Sequence, residues 1–310
     1  MSRNPLLAIL LPLGATLAFT VLGAIVRYLG DRVPVGEVVF VRSFVALVPL
    51  LLMLAWRREL AAAVRTKNVF GHLTRGVTNV AAMFCNFAAI ARIPLADAAA
   101  ISFATPIFSV VLAAIFLGEV VRVFRWSAVI VGFVGVIVMV SPHIGQAPRD
   151  ELSSTGALLA LAWAFLLAVV VTQVRHLSKT ETTASLVFYY SVLSSLVSLL
   201  TLYWGLVMPS PADMALLIAT GILGGIGQIL ITESYRYASA SAVAPFSYSS
   251  MLYAVVLGYF LFAEVPEPIV LVGAAIVVAA GLFVIWREHR LGIDRAKERR
   301  AEGPPTGPTG

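Results

Sequence analysis

The sequence predicts an all-α integral membrane protein with ten transmembrane helices arranged as two inverted five-helix repeats. Three observations lead there. Of the 310 residues, 60% are hydrophobic and 12% charged, for a mean hydropathy of +0.94. Charged residues make up about 25% of a typical soluble domain, so the surplus apolar surface here needs lipid to cover it. Apolar windows recur at the length, about 20 residues, that carries a helix across about 30 Å of hydrocarbon. The alternation of a membrane β-strand is absent, so each window must pair its backbone amides internally, as a helix.

In chain order the windows fall at 5–29, 35–55, 69–91, 95–117 and 122–141, then at 153–174, 184–207, 212–235, 240–262 and 268–286. Turn-forming clusters separate them, among them Arg92-Ile93-Pro94, Ser141-Pro142-His143, Pro209-Ser210-Pro211 and Glu264-Val265-Pro266. The first window follows Met1-Ser2-Arg3-Asn4. It exceeds the roughly 7–15 apolar residues of a signal peptide and lacks a small-residue cleavage site, so it is expected to stay as the first span. The domain reading is therefore a first repeat at 5–141, a second at 153–287, and a tail at 288–310. The start of that tail reads as a basic helical anchor beside anionic headgroups, and its Pro/Gly-rich end as disordered.

The distribution of cations sets the expected orientation. With the N-terminus inside, only Arg27, Arg32, Arg92 and Arg149 fall outside and Arg42 and Arg75 lie within spans, which leaves sixteen of the 22 Lys and Arg on the inner side. Cytoplasmic loops hold such an excess, so both termini are expected in the cytoplasm of a cell whose inner (plasma) membrane the chain crosses. The formal charge of +6 is spread through short loops and forms no single patch, which argues against nucleic acid as a partner. The single cysteine, Cys85, allows neither a disulfide framework nor a cysteine metal cluster, and no cofactor is expected.

The segment Ala98 to Leu117-Gly118-Glu119 runs parallel, at a constant offset, to Val243 to Phe262-Ala263-Glu264. In each copy small residues open the helix, aromatics occupy its middle and an acidic residue closes it; a helix with spaced glycines follows, Gly132 and Gly135 in one half and Gly273 and Gly281 in the other. Five spans being odd, the second copy enters the membrane inverted, the arrangement of alternating-access carriers. On the residues 94–103 with Phe116-Leu117-Gly118-Glu119, and 242–250 with Phe262-Ala263-Glu264, the chain resembles the drug/metabolite transporter superfamily in its ten-helix EamA form. That resemblance covers roughly residues 8–287. It implies a secondary, non-ATP transporter of small metabolites, an exporter of amino acids or related amphipathic compounds. An importer of a vitamin or nucleoside-type metabolite, such as riboflavin or S-adenosylmethionine, is the alternative it leaves.

Ionisable groups inside a span are disfavoured by about 2.5–3.5 kcal/mol and are functional candidates for that reason. Arg42 and Arg75 either hold a substrate carboxylate with two parallel hydrogen bonds or act as anchors, snorkelling to headgroups or pairing with a fixed partner such as Glu37. Asp97 and Glu233 either bind a coupling proton or serve as a cap and a loop ion pair, Glu233 with Arg236. Glu119 and Glu264 read as structural. Cavity walls for an amphipathic solute need aromatic surface with a few hydrogen-bonding groups. Asn79 and Asn86 in the third span, Phe103 and Thr105 in the fourth, Trp163 in the sixth, Gln228 in the eighth, and Tyr248, Ser249 and Tyr253 in the ninth supply that mixture. Pro106 and Pro245 are expected to kink the fourth and ninth spans.

An enzyme is not expected: no His-Glu-x-x-His, nucleophile elbow or intramembrane aspartate pair is present, and His72, His143, His176 and His289 are dispersed. A nucleotide-binding P-loop is absent too. A non-transporting membrane scaffold remains the competing class. The partners expected are a small-molecule solute and membrane lipid, with the oligomeric state open.

Overall fold

A computed structural model describes residues 5–116, 123–143, 150–178, 180–237 and 243–301. Glu119, Arg149, Lys179 and the Pro/Gly-rich end of the tail lie outside the described residues, as does the side chain of Arg236. The described chain is helical, without strands. Its helices are α1 (Pro5–Leu29), α2 (Val35–Trp56), a single turn α3 (Leu60–Ala63), α4 (Val69–Ile90), α5 (Leu95–Ser102), α6 (Thr105–Phe116), α7 (Val123–Val140), α8 (Asp150–Leu177), α9 (Thr183–Ser198), α10 (Pro211–Tyr237), α11 (Ser249–Phe262) and α12 (Pro268–Ala301).

Six of the ten expected windows coincide with helices long and apolar enough to cross a bilayer: the first, second, fourth, sixth, seventh and eighth. The third is the 22-residue α4, made more polar by His72, Arg75, Asn79 and Asn86. The fifth, ninth and tenth hold shorter apolar helices.

Exchanging the halves maps α1 onto α8, α2 onto α9, α4 onto α10, α5 and α6 onto the ninth window, and α7 onto α12. The helix packing respects that exchange: α1 against α10 is matched by α8 against α4, and α2 against α10 by α9 against α4, while α7 packs on its own counterpart α12. Polar contacts at the helix ends give the sense. Arg27, in the last turn of α1, donates from Nη1 to the carbonyl of Ile90 at 2.8 Å, so α4 ends at this face of the bundle. Its counterpart α10 begins there, where Arg32 meets Asp213 at 3.2 Å. Likewise α5 begins there, its Leu95 N–H donating to Glu264 at 3.0 Å, whereas α11 ends there, just before Glu264. The two repeats are therefore inverted.

Both paired spans break where the sequence places proline. Pro106 lacks an N–H and its ring would strike the carbonyl of Ser102, so α5 stops at Ser102 and the chain tightens, Phe103 N–H bonding to Ala100 and Ala104 N–H to Ile101. In the second half the corresponding stretch is a 3-10 turn, Ala244–Tyr248, with proline in its first residues. At the α7–α12 crossing a Cβ on Gly135 would lie 2.8 Å from the Gly273 carbonyl oxygen, and one on Gly273 would lie 2.7 Å from that of Gly135. Only glycine lets those backbones touch. The main core, an alanine-rich cluster that includes Ala98, Ile101, Ala157, Ala160 and Ala274, joins both halves.

Candidate functional site

A cavity of about 340 Å³ lies where the repeats meet. One stripe of α4 faces it, Asn79, Met83, Asn86, Phe87 and Ile90, at the spacing of a single helix face. So does a stripe of α5, Leu95, Ala98, Ala99 and Ser102. Phe19 and Thr20 come from α1 and Arg42 from α2; the second repeat answers with Trp163 from α8, Tyr190 from α9, Gln228 from α10 and Ser250 from α11. The lining is aromatic and apolar, with amides and hydroxyls set into it and one charged group, Arg42.

Arg42 is 8% exposed. Its Nη1 donates to the Met83 sulfur at 3.3 Å, and its Nε has no partner. The α10 backbone is drawn up against it, since a Cβ on Gly224 would lie 2.8 Å from that Nε. Asn79 donates to Met83 Sδ and to Ser194 Oγ, both at 3.3 Å, while the Asn86 Oδ1 has no donor. Glu37, the fixed partner considered for Arg42, instead accepts from the N–H of Val207 at 3.0 Å.

Of the candidates read from sequence, the cavity gathers Arg42, Asn79, Asn86, Trp163 and Gln228. Arg75, 6% exposed, stands outside it: its Nη1 donates to the carbonyl of Leu186 at 2.8 Å and its guanidinium lies 5.0 Å from the centroid of the Tyr190 ring. Phe103 and Tyr248 pack edge to face beside a separate void of about 180 Å³. Thr105 has a buried hydroxyl off the cavity, Ser249 bonds to Thr16 at 2.9 Å, and Tyr253 is half-buried away from the lining. Asp97 is buried in the first turn of α5. Glu233 pairs with Arg57 at 2.7 Å, tying the last turn of α10 to the end of α2. Glu264 pairs with Arg27 at 2.6 Å beside Ile90 and Leu95, so this ion pair closes one end of the cavity.

Sequence reading did not single out Phe19, Thr20, Ser102, Tyr190 or Ser250. The three hydroxyls spend their hydrogens on their own helices, Thr20 on Thr16 O at 2.8 Å, Ser102 on Ala99 O at 2.6 Å and Ser250 on Ser247 O at 2.7 Å. In a sequence such residues look like any small residue of a span. Another void, of about 400 Å³ between α4, α6 and α8, is walled by Leu112, Phe116, Phe165 and Val169 with Thr74, Gln173 and His176, and has no Arg, Lys, Asp or Glu in its lining. Among the described residues no His, Cys, Asp and Glu group could hold a metal ion.

Inverted helical repeats closing around one cavity are the architecture of secondary membrane transporters. The chain belongs to the EamA-like transporter family, whose profile matches residues 6–141 and 154–286. It is 29% identical to the S-adenosylmethionine uptake transporter of Rickettsia prowazekii (strain Madrid E), over 85% of this chain and 87% of that one. It is 29% identical to the pseudopaline exporter CntI of Pseudomonas aeruginosa (strain UCBPP-PA14), over 88% and 93%. To the riboflavin transporter of Rhizobium johnstonii it is 30% identical, over 74% of each chain. A solved crystal structure shares the fold with a TM-score of 0.61 at 21% identity, covering 94% of this chain and 99% of that one.

Proposed function

We propose that this chain is a secondary carrier that moves small amphipathic metabolites, amino acids or their close relatives, out of the cell by alternating access across the inner membrane, with both termini in the cytoplasm. The observation that carries the reading is the cavity of about 340 Å³ lined from both repeats. Its volume sits at the lower end of the roughly 300–1,000 Å³ of ligand pockets, which suits a single small metabolite. Trp163, Tyr190 and Phe19 offer faces to an apolar or aromatic body, and Asn79, Asn86 and Gln228 offer hydrogen bonds to its polar end. A carrier needs one site that either gate can expose, and a site at the interface of inverted halves meets that need.

The relatives named for S-adenosylmethionine uptake and riboflavin transport support a second reading, import of a compound with a flat heteroaromatic ring. The aromatic walls suit that solute equally well. Counterflow in proteoliposomes with labelled amino acids, riboflavin and S-adenosylmethionine separates the two, and right-side-out vesicles give the direction. Saturable flux of an amino acid, abolished by bulky substitution at Asn79 or Gln228, is the expected result. Absence of saturable flux for every solute would sink the carrier in favour of a membrane scaffold.

A further inference from the structure

We propose that Arg42 is the anchor for a carboxylate carried by the solute, so that the cavity selects acids and zwitterions over their neutral or amidated analogues. Arg42 lacks an anionic partner among the described residues. Guanidinium stays protonated in proteins, and a cation withdrawn from water is strongly disfavoured unless an anion or several oxygens replace its hydration. Two partly buried arginines of this chain obey that rule: Arg27 meets Glu264 at 2.6 Å and Arg57 meets Glu233 at 2.7 Å. Arg75, the other arginine within a span, has at least the carbonyl of Leu186.

Arg42 is as buried as Arg75, yet makes no ion pair among the described residues, and its one hydrogen bond goes to a thioether, a weak acceptor. Glu37 lies five residues earlier on α2, too far around the helix to share its face, and is taken up by Val207. The place around the guanidinium is nonetheless built: Gly224 leaves it room, and Met83 and Asn79 hold its flank. The cavity it lines has no carboxylate of its own. A fixed positive charge on the wall of a solute-sized space, its Nε unmatched against α10 and its Nη2 without a hydrogen bond among the described residues, makes a receptor for a carboxylate. Asn86 lines the same cavity, and its buried Oδ1 has no donor either.

This inference rests on the carrier reading only for flux, so binding and flux are measured side by side. The purified full chain is melted with matched pairs of L-amino acids and their amides, and the same compounds are followed into proteoliposomes. The acids are expected to stabilise the protein and to bind at least about tenfold better than the amides, the size of one charge-assisted hydrogen bond. Arg42→Gln should melt no lower than wild type, because an unpaired buried cation has gone, and should lose the preference for acids. Arg42→Lys should regain only part of it, having charge without the fork. Gly224→Ala leaves the charge but sets a methyl group 2.8 Å from Nε, and should reduce the preference too.

Equal affinity of wild type for acids and amides overturns the proposal, and so does an absence of carboxylate binding or a glutamine variant that keeps the preference. Should Arg42→Gln not fold, an unchanged preference in both Arg42→Lys and Gly224→Ala overturns it. Acid-selective binding without flux would remove the carrier and keep the anchor. Saturable flux indifferent to the carboxylate would do the reverse.

Discussion

Phe103 and Tyr248 occupy the same position in the two repeats and meet edge to face, with ring centroids 5.0 Å apart and planes at 84°. Each lies in the tightened turn that interrupts its span, so the contact joins the two breaks. Gly281 makes room for the Tyr248 hydroxyl, which occupies the space a Cβ there would need. Phe103→Ala should therefore lower stability by about 3–5 kcal/mol, the usual range for emptying a buried aromatic site. Tyr248→Phe, which keeps the ring contact, should cost far less. Thermal unfolding in detergent, run on both variants, checks the ratio; equal losses would mean that the hydroxyl rather than the ring pair holds the breaks together.

The fold was legible because lipid imposes a length, and lengths can be counted. The inversion was legible in the copies ending at Glu119 and Glu264. Which intramembrane polar groups share a cavity was only half legible, and Arg75 shows why. It precedes Asn79 by four residues, so helical periodicity puts both on one face of α4. Depth separates them: Asn79 reaches the cavity, while Arg75 lies a turn nearer the start of α4, against Leu186 and Tyr190 of α9. Residues of α9 that set that depth are more than a hundred positions away, and no local pattern encodes the meeting.

Arg27 and Glu264 close one end of the cavity with a bond between the halves. Arg27 donates Nε and Nη2 to one carboxylate oxygen, and the other oxygen takes the Leu95 N–H. Glu264→Gln weakens the first bond and leaves a half-buried cation behind. A loss of about 1.5–3 kcal/mol is expected, with most of the effect of Arg27→Gln absent in the double variant. Additive losses in that double-mutant cycle would show that the two side chains act separately.

Ala263 holds Glu264 in place at a backbone price. Its φ of 53° is left-handed, a region that disfavours any side chain by about 1–2 kcal/mol. The other repeat has glycine at this position, Gly118. Ala263→Gly should relieve the strain while giving back about 0.4–1 kcal/mol of unfolded-chain entropy, for a small net gain in melting temperature. A lower melting temperature would contradict the left-handed turn.

Glu181 lies in the loop between α8 and α9. Burial pushes its carboxyl upward, but hydrogen bonds from the Lys67 N–H, Thr66 and Ser185 outweigh that and hold it below its ordinary value of 4.5. A depressed folded-state pKa stabilises the protein above the unfolded value, and that contribution disappears as pH falls through the folded one. Glu181→Gln should thus lower the melting temperature at pH 7 and flatten its decline on acidification below about pH 4.5. Parallel melting curves against pH for variant and wild type would show that this carboxylate does not contribute.

Arg75 and Arg42 differ in what their loss should do to selectivity. Arg75 reaches the cavity through Tyr190, whose ring it covers at 5.0 Å and which lines the solute space. A cation over an aromatic ring contributes about 0.5–2 kcal/mol, and the bond to Leu186 fixes the guanidinium that provides it. Arg75→Gln removes both, letting Tyr190 relax, so every solute that packs on the ring should bind a few-fold worse. The carboxylate plays no part in that loss. Acids and amides should weaken together in Arg75→Gln, whereas in Arg42→Gln the acids alone should weaken. Arg75→Lys, which keeps a cation over the ring, should restore most of the affinity for both. The same matched acid and amide pairs, titrated against purified Arg75→Gln, decide the matter. A loss confined to the acids would move the carboxylate from Arg42 to Arg75, as the sequence also allowed, and would require the α4–α9 contact to open when solute binds.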